Sequence, residues 1–247
     1  MKSLINELRN YQNELEEINE ELQTLPKGRL AKKGKFYYHS KKGKEVGITK
    51  KPELIRQLCR KEHLLARKEQ LLNNIYYLTV DASKIDTRSP WELISSVPSA
   101  YQGLPISYFY HPTMEAWLEE SYDRHPYSPD EGSYMTKNGV QLRSKSELLI
   151  ATQLEYYKIP YRYEAELKLG SKPEYPDFTI KNPFTGKSIL WEHFGGLHLS
   201  GYEKRMNEKM DRYLTHNYVP FDTIIYTFEF QTKNADRIQK LIEDIII

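Results

Sequence analysis

Three runs within one stretch, Arg143-Ser144-Lys145-Ser146-Glu147, Tyr175-Pro176-Asp177-Phe178-Thr179-Ile180 and Leu190-Trp191-Glu192-His193-Phe194-Gly195, decide the fold. The first opens a helix. Ser144 is followed three residues later by Glu147, the spacing of a capping box, and Leu148, Leu149, Ala151, Leu154 and Tyr157 continue at helical intervals until Ile159-Pro160 stops them. The second and third read as strands, separated by Asn182-Pro183-Phe184-Thr185-Gly186. That is a turn, because Pro fixes φ and Gly accepts φ > 0. A symmetric fold about the turn sets Ile180 opposite Ile189, Phe178 opposite Trp191 and Asp177 opposite Glu192. Directly opposed residues share a face with Cβ atoms about 4.5–5.5 Å apart, so Asp177 and Glu192 repel unless a cation lies between them. A divalent metal ion is the simplest such partner.

Working outward, the region from Tyr134 reads as a mixed α/β layer. Asn138-Gly139 marks a tight hairpin between Tyr134–Thr136 and Val140–Leu142. After the capped helix come strands at Tyr161–Leu169, Tyr175–Ile180 and Ser188–Phe194, a helix from about Ser200 to Asn217, a strand at Thr223–Phe228 and a last helix from about Asn234.

The N-terminal part is organised differently. Leu4, Leu8, Tyr11, Leu15, Ile18, Leu22 and Leu25 alternate steps of four and three, the heptad of a coiled-coil seam, ending at Pro26-Lys27-Gly28. A second helix from Pro52 to about Tyr77 carries Leu54, Leu58, Leu65, Leu72 and Ile75, predicted as its apolar stripe. Between them, Lys35–Ser40 and Glu45–Thr49 flank Lys41-Lys42-Gly43-Lys44 as a basic β-hairpin. The expected organisation is an antiparallel helical hairpin with that β-hairpin at its tip over residues 1–78, a connector over 79–133 that packs on the core, with a short helix near Pro112–Tyr122, and the α/β domain over 134–247. The connector's aromatics, among them Trp91, Tyr101, Tyr108, Phe109, Tyr110 and Trp117, read as covering residues.

Composition narrows the classes. Of 247 residues, 39% are apolar and 13% aromatic, enough for a packed core. The single Cys59 excludes an intramolecular disulfide and a cysteine zinc site. No run approaches a membrane span and the N-terminus leads into a charged helix, so a soluble, cytoplasmic protein with no membrane partner is expected. The net charge of +2 conceals segregation. Residues 1–25 hold two bases and six acids, a net of −4, whereas residues 26–51 hold ten Lys or Arg against Glu45 alone, a net of +9.

A helix Glu, a Pro-Asp on one strand and an acid on the next resemble the PD-(D/E)xK nuclease superfamily. More narrowly, Arg143–Glu147, Tyr175–Phe178, Trp191–Gly195 and the later Tyr202 and Lys209 look like its "EHFG" branch over roughly residues 134–230. The resemblance implies a restriction-endonuclease-like mixed-sheet core and metal-dependent hydrolysis of phosphodiester bonds, in DNA foremost. It assigns Asp177, Glu192 and the main-chain carbonyl of His193 to Mg²⁺ or Mn²⁺, with Glu147 assisting directly or through water. The sequence departs from the family pattern where a lysine is expected two residues after Glu192, for Phe194 stands there. The resemblance suggests a lysine moved to the following helix, where Tyr202, Met206, Lys209 and Tyr213 share one face. Lys145 and Lys168 are reserve candidates. By alternation the His193 side chain points away from Glu192.

Each residue also has a plainer reading. Asp177 can end a strand, Glu192 can pair with a structural cation, Glu147 can serve only its cap, and Lys209 can reach solvent. The absent in-strand lysine suits a second reading, a catalytically inactive nucleic-acid-binding or assembly module. At the tip, Lys32, Lys33, Lys35, Lys41, Lys42 and Lys44, interleaved with aromatics, are candidates for gripping a phosphate backbone, although lysines also protect sheet edges from aggregation. The acidic seam helix packs either on its own partner helix or on a second protomer as a homodimer.

Overall fold

The computed structural model describes residues 2–126, 134–170 and 172–246, with the side chains of residues 2 and 3 excepted. The connector's last residues, 127–133, lie outside this set. The chain forms two compact units, Met1–His111 and Pro112–Ile247.

In the first unit, α1 (Lys2–Thr24) and α2 (Pro52–Val80) run antiparallel. Glu21 pairs with Arg60 and Glu14 with Arg67, each at 2.7 Å, and residue numbers that fall along one helix while rising along the other define the opposed directions. Tyr11, Leu15, Ile18, Leu22 and Leu25 pack around Leu64 and Leu71. From Tyr11 to Leu25 the heptad seam is therefore met within one chain, one of the two arrangements the sequence left open, whereas Leu4 is 44% exposed.

The predicted stripe on α2 is corrected. Leu65 and Leu72 are 44% and 48% exposed, and the buried face runs through Ile55, Leu58, Cys59, Leu64, Leu71 and Leu78. Buried Arg60, His63, Gln70 and Asn74 interrupt that face, so polar residues that serve ion pairs and backbone hydrogen bonds concealed its phase. Leu71→Ala is therefore expected to cost about 3 kcal/mol and the adjacent Leu72→Ala less than about 0.5 kcal/mol in urea denaturation; equal losses would return the helix to the predicted phase.

Between the helices lies a three-stranded antiparallel sheet, β1 (Arg29–Lys33), β2 (Phe36–Lys41) and β3 (Lys44–Gly47), in the order β1-β2-β3. The expected hairpin is its second half. β1 escaped notice because three of its five residues are cationic and show no alternation.

The expected connector divides between the units. Residues up to His111, including α3 (Pro90–Ser95), belong with the helical unit. There Tyr101 and Phe109 are buried, the Tyr101 hydroxyl accepts the Leu30 N–H at 2.9 Å, and Gln70 and Asn74 bind the Asp86 carbonyl. The predicted short helix is α4 (Thr113–Glu119), in the second unit, where Arg162 stacks on Trp117 with 4.4 Å from guanidinium to ring.

The second unit is mixed α/β. β4 (Tyr134–Met135) and β5 (Gln141–Leu142) form the hairpin before α5 (Lys145–Tyr156). The long strand expected at Tyr161–Leu169 is broken into β6 (Tyr161–Tyr163) and β7 (Leu167–Leu169), because Glu164 adopts φ 46° and turns the chain. β7 pairs with β8 (Lys172–Glu174), and β9 (Phe178–Lys181) starts after Pro176, whose nitrogen has no hydrogen to donate. β10 (Ser188–Phe194) and β11 (Ile224–Phe228) complete a four-stranded sheet in the order β11-β10-β9-β6, parallel only between β10 and β11.

The register of β9 and β10 has Ile180 opposite Ile189 and Phe178 opposite Trp191, as the symmetric turn requires. One sheet face, with Phe178, Ile180, Trp191 and Ile225, packs on α5 and α8 (Ala235–Ile245). The other face, with Leu190 and Ile224, packs on Tyr213 of α6 (Tyr202–Thr215), and α7 (Glu229–Thr232) follows β11.

No helix among the described residues is long and apolar enough to cross a membrane.

Candidate functional site

Alternation along β10 sorts its residues. Trp191 and His193 face the α5 side, where the indole Nε1–H donates to Thr227 Oγ1 at 2.9 Å and His193 Nδ1 lies 3.1 Å from the same oxygen. Glu192 and Phe194 face the α6 side. The His193 side chain thus points away from Glu192, as alternation predicts, and burial holds its pKa down against the opposing pull of Glu229, 3.6 Å from Nε2.

Asp177 sits one residue beyond the β9 ladder and is tied to β10 through its main chain. Its Oδ2 accepts the His193 N–H at 2.6 Å, and its own carbonyl accepts the Glu164 N–H at 3.0 Å. Asp177 is 9% exposed and Glu192 only 2%. Lys209, on α6, donates to Glu192 Oε1 at 2.6 Å and to the Tyr175 carbonyl at 3.2 Å. The Tyr213 hydroxyl, one turn further along α6, donates to the same Oε1 at 2.5 Å. Of the face Tyr202, Met206, Lys209 and Tyr213 read from helical spacing, Lys209 and Tyr213 therefore meet Glu192 across the α6 interface.

The electrostatics follow from burial. Desolvation, reinforced by Glu192, pushes the Asp177 carboxyl well above the usual range, while Lys209 opposes the shift. Burial also raises Glu192, against the attraction of Lys209 and the Tyr213 hydrogen bond. Burial works against the charge on Lys209, but Glu192 and Asp177 outweigh it and its pKa is raised. Among the described residues Lys209 is the one cation that acts on both buried carboxylates, and it leaves both of their pKa values raised.

Glu147 occupies the first turn of α5, and Ser144 and Glu147 form the full capping box. Its Oε2 accepts from the N–H groups of Arg143 and Ser144 at 3.0 and 3.1 Å and from the Tyr163 hydroxyl at 2.8 Å. It is close enough to raise the Asp177 pKa further. The cap is therefore real, and beyond it Glu147 acts on Asp177 only through its charge. Of the reserve lysines, neither Lys145 nor Lys168 lines the cleft described next.

A cleft of about 370 Å³ opens beside Asp177, with Asp177, Lys209, Glu174 and Glu208 in its wall and Arg143, Arg205 and Arg212 around it, while Glu192 is not among the residues that line it. Arg143 pairs with buried Glu164, Arg212 pairs with Glu174, and Arg205 lies 5.7 Å over the Tyr202 ring. Sequence reasoning missed these arginines. Arg143 was visible in the opening run, but nothing local indicates that Glu164, twenty-one residues on, fixes its guanidinium. Arginine forks of this kind suit phosphate oxygens.

The donor set fits a hard divalent ion. Asp177 Oδ1 and Glu192 Oε2 have no hydrogen bond among the described residues, whereas Oδ2 and Oε1 are held. Among the described residues no group of three or more His, Cys, Asp or Glu side chains is placed to hold a metal ion together. Mg²⁺ does not need one, since two carboxylates with waters and substrate oxygens suffice.

No family model matches the chain, and no solved structure matches it. It is similar to an uncharacterised protein of Methanocaldococcus jannaschii, 36% identical over 80 residues. That match covers 31% of this chain and 6% of the relative.

Proposed function

We propose that the protein is a metal-dependent nuclease of the PD-(D/E)xK type, with a restriction-endonuclease-like core, that hydrolyses phosphodiester bonds in DNA. The observation that carries this reading is the insertion of Lys209, from α6, against the buried Asp177–Glu192 pair of β9 and β10. The lysine absent from β10 is supplied by the next helix.

Asp177 Oδ1, Glu192 Oε2 and the His193 carbonyl would hold Mg²⁺ or Mn²⁺, and Glu147 would act beside them. When bound, the ion offers Lewis acidity and a water of lowered pKa. The protein's own groups do the rest. The His193 N–H fixes Asp177, and Tyr213 and Lys209 fix Glu192, so both carboxylates are oriented before substrate arrives. Lys209, held charged, orients the attacking water or stabilises charge on the scissile phosphate. Arg143 and Arg212, held by Glu164 and Glu174, line the path of the backbone.

The test is cleavage of single-stranded, double-stranded and branched DNA, beside RNA, with Mg²⁺ or Mn²⁺. Cleavage of DNA that EDTA abolishes and either metal restores is expected. Salt-sensitive binding with no cleavage in any metal would instead establish the inactive nucleic-acid-binding reading.

A further inference from the structure

The structure separates the six lysines of the β1-β2-β3 sheet, which the sequence cannot tell apart. Register and alternation place Leu30, Lys32, Tyr37, His39, Lys41, Lys44 and Val46 on one face, of which Leu30 is buried and Lys32, Lys41, Lys44 and Val46 are exposed. Arg29, Lys33, Phe36, Tyr38 and Glu45 lie on the other. The only acid of the sheet is on that second face, where Glu45 pairs with Lys33. The first face carries no acid, and Lys32 stands over the Tyr37 ring at 5.5 Å. Its cations fall in two rows, at Lys32 and at Lys41 with Lys44. Four residues of β2 separate the rows, about 13 Å at strand rise. Only a ligand with negative charges repeated over that length meets both.

The turn between β2 and β3 adds an independent sign. Lys42 has φ 48° and Gly43 φ 76°, both positive, which is the condition of a type I′ turn. Asn, Asp or Gly favours the first of these positions, and an unbranched lysine there is strained. Lys41 and Lys44 are also directly opposed, so like charges face each other across the pair. Strain and repulsion both persist in the isolated protein, and one class of ligand, a polyanion, relieves the repulsion and uses the charge that the strained position provides.

We infer that the face carrying Lys32, Lys41 and Lys44, with Lys42 in the adjoining turn, is a sequence-independent binding site for the phosphate backbone of nucleic acid. Lys33, neutralised by Glu45, contributes little. The inference does not depend on cleavage at Asp177 and Glu192.

The test is fluorescence anisotropy of a labelled DNA duplex with the full chain in EDTA across a KCl series, so that cleavage plays no part. Each phosphate contact contributes about 0.9 to the slope of log affinity against log salt. The triple variant Lys32→Ala, Lys41→Ala, Lys44→Ala is expected to lose about 2.7 from that slope, and Lys33→Ala to leave it unchanged. Lys42→Asn is expected to raise Tm by about 2–4 °C while weakening binding. The Tm readout separates a strained cationic site from a lysine edge that only prevents aggregation. An unchanged slope in the triple variant, no duplex binding by the parent, or retention on phosphatidylserine vesicles or polyglutamate but not on duplex would overturn the inference.

Discussion

Asp177→Asn is expected to abolish metal-dependent cleavage, by at least about 10³-fold, while making the metal-free protein more stable. The two effects have one cause. Asp177 and Glu192 are buried together with a single ammonium, and burial and mutual repulsion hold the Asp177 carboxyl well above its ordinary range. Asparagine keeps an oxygen to accept the His193 N–H, so the link from β9 to β10 survives the loss of charge. The sign follows from linkage. A raised native pKa means the folded state binds its proton more tightly than the unfolded chain. The associated stability is complete below the unfolded value of about 4 and is lost as pH rises towards the native value. In EDTA the parent should therefore lose stability as pH rises from about 4, and Asp177→Asn should lose less. Added Mg²⁺ should raise the Tm of the parent and not of the variant. Thermal melts from pH 4 to 8, with and without Mg²⁺, decide this. A variant less stable than the parent throughout would show that Asp177 is a structural strand end and not half of a charged site.

Lys209→Met is expected to destabilise the protein by about 3–5 kcal/mol and to lower cleavage by about 10²-fold or more. The stability loss arises because Glu192, 2% exposed, would keep its buried charge with only the Tyr213 hydroxyl opposite. The pair is itself a different matter from its separate halves: removing both charges can be close to neutral. Glu192→Gln introduced with Lys209→Met should therefore recover most of the stability and none of the activity. Denaturant titration of the two single variants and the double variant measures that coupling. A lysine that merely reached solvent along the helix edge would give a change below about 0.5 kcal/mol and no coupling.

Much of this site was legible in the sequence because its geometry is local. The turn at residues 182–186 sets the register of β9 on β10, and a period of two then places Asp177 and Glu192 on one face and the His193 side chain on the other. Ser144 and Glu147 announced their helix start three residues apart. Lys209 was legible as a charged residue on the face of Tyr202 and Tyr213, although its contact with Glu192 required α6 to lie on that side of the sheet. The phase of α2 was misread where the chemistry is not local. Arg60 and Arg67 are paired by Glu21 and Glu14 on α1, and no periodicity within α2 reveals partners 39 and 53 residues away.

The same division applies to the chain as a whole. By itself the sequence determined the capped helix, the paired carboxylates and the segregation of charge into residues 26–51, because backbone propensity, strand alternation and turn chemistry act over a few residues. Only the tertiary structure decided the break at Glu164, the strand β1, the arginines around the cleft and the inequality of the six lysines. Each of those depends on a residue brought near by packing: Arg143 meets buried Glu164, and Glu45 cancels Lys33 while leaving the opposite face of the sheet without an acid.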